Sequence, residues 1–522
     1  MTKQEESLFW ADQIARKVIK DFPKEKIQTC AAGITPSGTI HIGHFREMIT
    51  VDLIIRALQG AGKKTRYIYS WDDYDRLRKI PKNVPDAKAL EKYLYKPVTD
   101  TPDPWGCHSS YAEHFEKEAE DAVSCVGINP EFLHQSKMYR KSVYADDIKE
   151  SLQKRHEIRK ILDKYRKEKL ADTWYPLNVY CEKCGYEQGK VVEYDDDYKV
   201  KYKCVCGHEA WLDVRESGNV KLPWRVDWPM RWRYENVTCE GGGKEHNTPG
   251  GSLDTGHELC QKIFNKKPPV RFMYDYIIVK GAGGKMSSSL GNVITLKDAL
   301  EIYLPEIIRF IFAGTKPVKE FSISFGEDVL KVYEDFYKTE RIYYGKEEAS
   351  DRDKKHWSRV YEMSAIKKPA KTMPTQPSFR HAVTLINVYG NVEKALESFG
   401  VLKENDKKRH ESVLMCAKFW VEKHAPEKYK FSLQEEMNTN VKLSKDQKTA
   451  LKQLALELKK SKVTEEGLKN MFFEIANENN IKPQELFQGA YNVLLGKNQG
   501  PRLATFILAV GRKKIAELLE KI

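Results

Sequence analysis

The sequence predicts an α/β protein in which a parallel sheet is interrupted by a cysteine-rich insertion and followed by an all-α carboxyl-terminal domain. Three observations carry this. Two short apolar or aromatic runs, Gln28 to Thr35 and Lys64 to Trp71, each end in a polar turn, as buried parallel strands do. Cysteines recur in pairs between Cys181 and Cys206. Beyond about residue 300, apolar residues recur at helical spacing.

Taken in order, residues 8–20 predict an amphipathic helix, with Trp10, Ile14 and Val18 on one face. The strand Gln28 to Thr35 follows, then the turn Pro36-Ser37-Gly38. His41-Ile42-Gly43-His44 opens a helix with Met48, Val51 and Ile55 at helical spacing. Strand, turn and helix form the unit that presents a ligand at the carboxyl ends of a parallel sheet. The free N–H groups and partial positive charge of a helix start suit a phosphate. The two histidines lie one turn apart on one face, and Gly43 between them leaves room for a flat ring.

A second stretch matches the first. The strand Tyr276 to Val279 leads to Gly281, Gly283 and Gly284, then Lys285-Met286-Ser287-Ser288-Ser289. One lysine and three hydroxyls on a glycine-rich loop suit a polyphosphate. Together the two stretches resemble the HIGH and KMSKS motifs of class I aminoacyl-tRNA synthetases, with Ser288 where the second lysine commonly stands. The strand Lys64 to Trp71 ends in Asp72-Asp73-Tyr74-Asp75-Arg76-Leu77-Arg78-Lys79-Ile80-Pro81. That run, with Asp103-Pro104-Trp105-Gly106-Cys107-His108 and Ser110 to Phe115, resembles class I lysyl-tRNA synthetases in particular.

Two segments carry metal-ligand chemistry. Cys181-Glu182-Lys183-Cys184-Gly185 and Cys204-Val205-Cys206-Gly207-His208 read as the two knuckles of a zinc ribbon. Five candidates compete for four positions: Cys181 and Cys184, with two of Cys204, Cys206 and His208. A closed four-ligand site is structural. Asp103, Cys107, His108 and His114 could close a second tetrahedral site, although a buried thiol with hydrogen-bonded histidines fits the same spacing. The resemblance implies zinc in this inserted region.

The resemblance also implies the remaining roles. His41, His44 and Lys285 are expected to be catalytic. Pro36, Ser37, Gly38, Gly43, Lys285, Met286, Ser287 and Ser288 are expected to meet ATP, with Mg²⁺ accompanying it. Gly33, Thr35, Trp224, His246 and Tyr274 are expected to bind L-lysine, Trp224 by packing and cation–π attraction. Family members usually show GKDH where this chain has Gly243-Lys244-Glu245-His246, so Glu245 is a departure.

The expected organisation is a Rossmann-like catalytic domain with a zinc-containing insertion, followed by an all-α domain. Its parts are 1–95 and 221–300 for the two catalytic halves, 96–220 for the insertion, 301–370 for a connecting region and 371–522 for anticodon binding. Ser444 with Gln447 forms a capping box, and Gln484 to Leu495 and Pro501 to Leu519 are further helical stretches. A formal net charge of +13, from 88 basic against 75 acidic residues, favours an anionic macromolecule. The resemblance makes it tRNA-Lys, held at acceptor end and anticodon, with no DNA or membrane partner expected. A charged amphipathic amino terminus and ten cysteines without a disulfide pattern predict the cytosol. The reaction implied is ligation of lysine to tRNA-Lys through lysyl-adenylate, with activation awaiting bound tRNA. A glutamate or glutamine synthetase of the same class, a non-catalytic RNA-binding relative and a small-molecule nucleotidyltransferase of the same superfamily are the rival readings, the last giving no reason for the basic helical carboxyl-terminal third.

Overall fold

The computed structural model describes residues 9–280, 293–434, 442–460 and 463–522. They fall into two compact units. The first comprises Met1–Ala299, Ile308–Ile323 and Ala349–Pro369, and the second Leu300–Ile307, Ser324–Glu348 and Ala370–Ile522. The stretch 301–370, expected as one connecting region, thus contributes to both.

In the first unit, α1 (Trp10–Asp21) leads to β1 (Ile27–Ile34), α2 (Ile42–Gly60) and β2 (Lys64–Trp71). Two further strands, β3 (Glu131–His134) and, after the insertion, the strand Val237–Glu240, complete a parallel sheet. β1 and β2 occupy its middle, which explains why Gln28–Ala32 and Tyr67–Trp71 are buried in succession and not alternately. Helix α2 is buried nearly all round and lies against both central strands. Arg309, fully buried, donates to Asp52 at 2.6 Å and to the Val126 and Met363 carbonyls at 3.1 and 3.0 Å, stitching 308–323 and 349–369 onto this sheet.

The insertion builds its own antiparallel sheet from β4 (Asn178–Val179), β5 (Gly189–Tyr194), β6 (Lys199–Cys204), β7 (Glu209–Asp213) and β8 (Val220–Lys221), in the order β7-β6-β5-β4-β8. Its core joins Val179, Val200, Tyr202 and Leu212 to the helices at 145–153 and 155–163. The helix α3 (Trp224–Tyr234) then returns the chain to the parallel sheet as β9 (Val237–Glu240). That helix was not foreseen, because its tryptophans and arginines show no single apolar face; most of it is buried.

The second unit is helical. Ser444 caps the helix Lys445–Lys460 as expected, its hydroxyl taking the Gln447 N–H at 3.0 Å while Gln447 returns a bond to the Ser444 N–H. The stretch from Pro501 to Leu519 is two helices, Leu503–Val510 and Arg512–Glu520, split at Gly511, whose φ of +98° no helix interior accepts. Among the described residues no helix is long and apolar enough to cross a membrane.

Candidate active site

A cavity of about 310 Å³ opens at the carboxyl ends of β1, β2 and β9, the place a parallel sheet offers a ligand. Gly33 and Ser70 are register partners there. A Cβ on Gly33 would come within 2.5 Å of the Ser70 carbonyl oxygen, so only glycine lets the strands close under the cavity. One wall is aromatic: Trp224 stacks on Trp228 with ring centres 4.7 Å apart, and His246 stands 5.8 Å from Trp228.

The cavity is strongly acidic. Its described lining holds Glu47, Asp72, Glu235, Glu240, Glu245 and Asp275 against one guanidinium, Arg231. Glu240 accepts the indole N–H of Trp228 at 2.8 Å and of Trp232 at 2.6 Å. Burial pushes its carboxyl up to about 7. Glu47 accepts the Gly33 N–H at 3.2 Å and is bonded by the Tyr274 hydroxyl; burial pushes it up to about 8. These acids stand closer to neutral than free carboxylates, which is the condition of a site waiting for a cation.

The other end of the cavity is the histidine turn. His41 is the N-cap of α2. Its Nδ1 accepts the Gly43 N–H at 3.1 Å, and His44 Nδ1 accepts the His41 N–H at 3.3 Å. The rings stack with centres 3.7 Å apart. Burial first, and then the neighbouring ring, hold His44 well below the ordinary imidazole range. With Nδ1 committed as acceptor, a neutral imidazole carries its proton on Nε2 as a donor.

Lys285, Met286, Ser287 and Ser288 lie outside the described residues. Both flanks of that segment are anchored on α2. The Ile42 N–H donates to the Ile294 carbonyl at 2.8 Å, and His41 bridges Thr295. On the other flank the buried Arg46 guanidinium collects five carbonyl oxygens, those of Asp275, Tyr276, Lys316, Pro317 and Lys319, at 2.6–3.4 Å.

Of the residues expected to hold lysine, Gly33, Trp224, His246 and Tyr274 line the cavity. Thr35 does not: its hydroxyl donates to Asp75 at 2.7 Å. Pro36, Ser37 and Gly38 are also off the cavity lining, while Gly43 is on it. Each aspartate of the Asp72-Asp73-Tyr74-Asp75 run meets its own cation. Asp72 pairs with Arg231 at 2.8 Å, Asp73 with His134 at 3.2 Å, and Asp75 with Lys221. His134 is raised to about 9, chiefly by its bond to Asp73 and then by Glu116. Sequence reading assigned no role to Glu47, Glu240 or Arg231. The available signals were the acid inside the HIGH-like helix and the acid closing the Val237–Glu240 strand.

The cysteines of the insertion converge. Sγ of Cys181 lies 3.7 Å from that of Cys206, and Cys184 lies 3.7 Å from Cys204, all four within 4.8 Å of one another. Each knuckle is closed by a glycine at positive φ, Gly185 at +75° and Gly207 at +84°. His208 is not in the cluster. Its carbonyl accepts the Cys204 N–H at 2.8 Å and its ring leans on Tyr202. Asp103, Cys107, His108 and His114 form a second cluster, with Cys107 Sγ 3.1–3.3 Å from the other three. Asp103 is held by the N–H groups of Trp105, Cys107 and His108.

Residues 8–367 match the family described as tRNA synthetases class I (K), and residues 400–522 match an anticodon binding domain. Among curated relatives, a lysine–tRNA ligase of Borrelia garinii is 45% identical over 515 residues, covering 98% of this chain and 99% of the relative. One from Treponema pallidum is 42% identical over 99% of each chain. One from Pyrococcus horikoshii is 40% identical, covering 98% of this chain and 99% of its own.

Proposed function

This chain belongs to the class I tRNA synthetases (K), and from that premise we infer that it ligates L-lysine to tRNA-Lys with ATP, through lysyl-adenylate. The observation that carries the reading is one cavity with an acid-rich, indole-walled chamber at one end and a pair of histidine donors on a helix start at the other.

Lysine enters with its alkyl stem along Trp224 and Trp228 and its ammonium toward Glu47 and Glu240, which ionise as it arrives. Its carboxylate then faces the histidine turn and attacks the α-phosphorus of ATP. No side chain needs to act as nucleophile, so catalysis is positioning plus stabilisation of phosphate charge. His41 and His44 donate from Nε2, reinforced by the partial positive charge at the start of α2, whose first N–H groups are already bonded to Ile294 and His41. Lys285 is assigned to the leaving pyrophosphate, with Mg²⁺ carried in by ATP. The lysyl group passes to the terminal ribose of the tRNA, whose anticodon is read by the carboxyl-terminal helices.

The donor sets fit zinc. Tetrahedral zinc with bonds of about 2.3 Å places thiolates about 3.8 Å apart, whereas a disulfide would need about 2.05 Å. The 3.7 Å spacings match the first. Cys181, Cys184, Cys204 and Cys206 would hold a structural ion with no open position, and Asp103, Cys107, His108 and His114 a second one. Cys181→Ser is expected to remove one zinc per chain and His208→Ala none, read by metal analysis of the purified protein.

The deciding experiment is charging of purified tRNA-Lys with lysine, glutamate and glutamine in parallel. Lysine alone should be ligated, and ATP–pyrophosphate exchange should appear only when tRNA-Lys is added. Charging with glutamate in preference to lysine would overturn the assignment. Unchanged charging by Lys285→Ala would overturn the role given to that lysine.

A further inference from the structure

The end of β8 reaches under the active site. Lys221 closes that strand and pairs in register with Asn178, so it is part of the insertion sheet. Only 4% of it is exposed, and its ammonium is bonded to Asp75 Oδ1. The other oxygen of Asp75 accepts the Thr35 hydroxyl at 2.7 Å. Thr35 is the first residue past β1, and its carbonyl takes the Ser37 N–H at 2.8 Å, so it sets where the strand gives way to the histidine turn. Asp75 is fixed from behind as well, its N–H bonded to the Asp72 carbonyl and its own carbonyl taking the Val98 N–H. Ammonium, carboxylate and hydroxyl therefore run without a break from the insertion sheet to the residue flanking Gly33 and Ile34 in the cavity wall.

We propose that Lys221 is a positioning residue for the amino-acid site: through Asp75 it holds Thr35, and so couples the insertion sheet to the Gly33–Ile34 wall of the cavity that Thr35 flanks. The chain explains why the Thr35 hydroxyl points to Asp75 instead of into the cavity. It also explains why a lysine is buried at the edge of a small sheet, where an apolar residue would pack at lower cost. A displacement of β8 by one hydrogen-bond length would free Thr35 and loosen that wall. The proposal rests on the assignment of the cavity to lysine.

The test uses the full chain with tRNA-Lys. Three variants are compared: Thr35→Val, which removes the hydroxyl; Asp75→Asn with Lys221→Met, which neutralises both charges together; and Lys221→Arg, which keeps the cation. The first two are each expected to raise the KM for lysine about tenfold, the size of one hydrogen bond to a charged group. The KM for ATP and kcat at saturating lysine should stay within about twofold. The variant carrying Thr35→Val, Asp75→Asn and Lys221→Met should be no worse than either, because one chain has been cut twice. Lys221→Arg should stay near the parent. Additive effects, an unchanged KM for lysine, or an equal rise for ATP would overturn the coupling. If the charge-neutralised variant loses its melting transition, Thr35→Val decides alone, and an unchanged KM for lysine overturns the proposal. The parent chain in the same assay separates the two levels. If it charges lysine, a failure belongs to the coupling only; if it does not, the lysine assignment and the coupling fall together.

Discussion

The two ends of the cavity respond to burial in opposite directions on the pH scale and reach the same condition. At the acid end, loss of water drives Glu47 and Glu240 upward, to about 8 and about 7. At the histidine end it drives His44 downward. Both ends therefore approach neutrality before substrate arrives. The difference lies in what restores charge. Among the described lining residues the one guanidinium, Arg231, is already shared by Asp72 and Asp227, so on the proposed reading an entering ammonium would restore the charge of Glu47 and Glu240. The histidines have no such need. Their Nδ1 atoms are committed to the main chain, and a neutral ring already offers the donor a phosphate wants. On the proposed assignment, one end would recognise its ligand by changing its protonation, the other by keeping it.

That contrast can be broken most severely at the histidine end. His44→Ala is expected to lower the rate of adenylate formation by about two orders of magnitude, the usual cost of a lost donor to developing phosphate charge. The melting temperature should change little, and pyrophosphate exchange with tRNA-Lys present measures the loss. At the acid end, Glu240→Gln or Glu47→Gln should raise the KM for lysine about 10- to 50-fold and leave the KM for ATP within about twofold, since only a carboxylate partner of the lysine ammonium is lost from the site. An equal rise for both substrates would mean that the two ends are not separate.

A smaller effect sharpens the comparison by pH. Both glutamates have folded values above the unfolded value of about 4.3, so their contribution to stability is complete below that value and is lost as pH rises through 7 to 8. The substrate-free protein should melt at a lower temperature at pH 8.5 than at pH 6, and saturating lysine should narrow the gap. The KM for lysine should fall over the same interval. Glu47→Gln should remove the part of that change above pH 7.5, and a KM independent of pH would refute the protonation account.

The histidine turn was legible because its chemistry is local. Strand, turn and paired imidazoles stand within a few residues, and β2 runs from Lys64 to Trp71 as expected. The thiol knuckles were legible for the same reason, down to the choice among five ligands, which spacing left open. His208 was a fair candidate until the hairpin turned its carbonyl, not its ring, toward the cluster. The acid chamber was not legible, because Glu47 and Glu240 are distant in sequence and become one site only when β1 and β9 pair, Ala31 beside Glu240. Thr35 was assigned to lysine by resemblance, and only the fold shows its hydroxyl spoken for by Asp75. The helix Trp224–Tyr234 stayed hidden because it is buried on nearly every side, so no amphipathic pattern marks it.

The five oxygens gathered by Arg46 all belong to the main chain. A clamp of that kind is blind to side-chain identity at positions 275, 276, 316, 317 and 319. As far as the clamp is concerned only the path of the backbone must be kept there; Asp275 and Tyr276 answer separately to the cavity they line. Arg46 itself is not: an ammonium has three protons for five acceptors, and no other side chain forks widely enough to replace it.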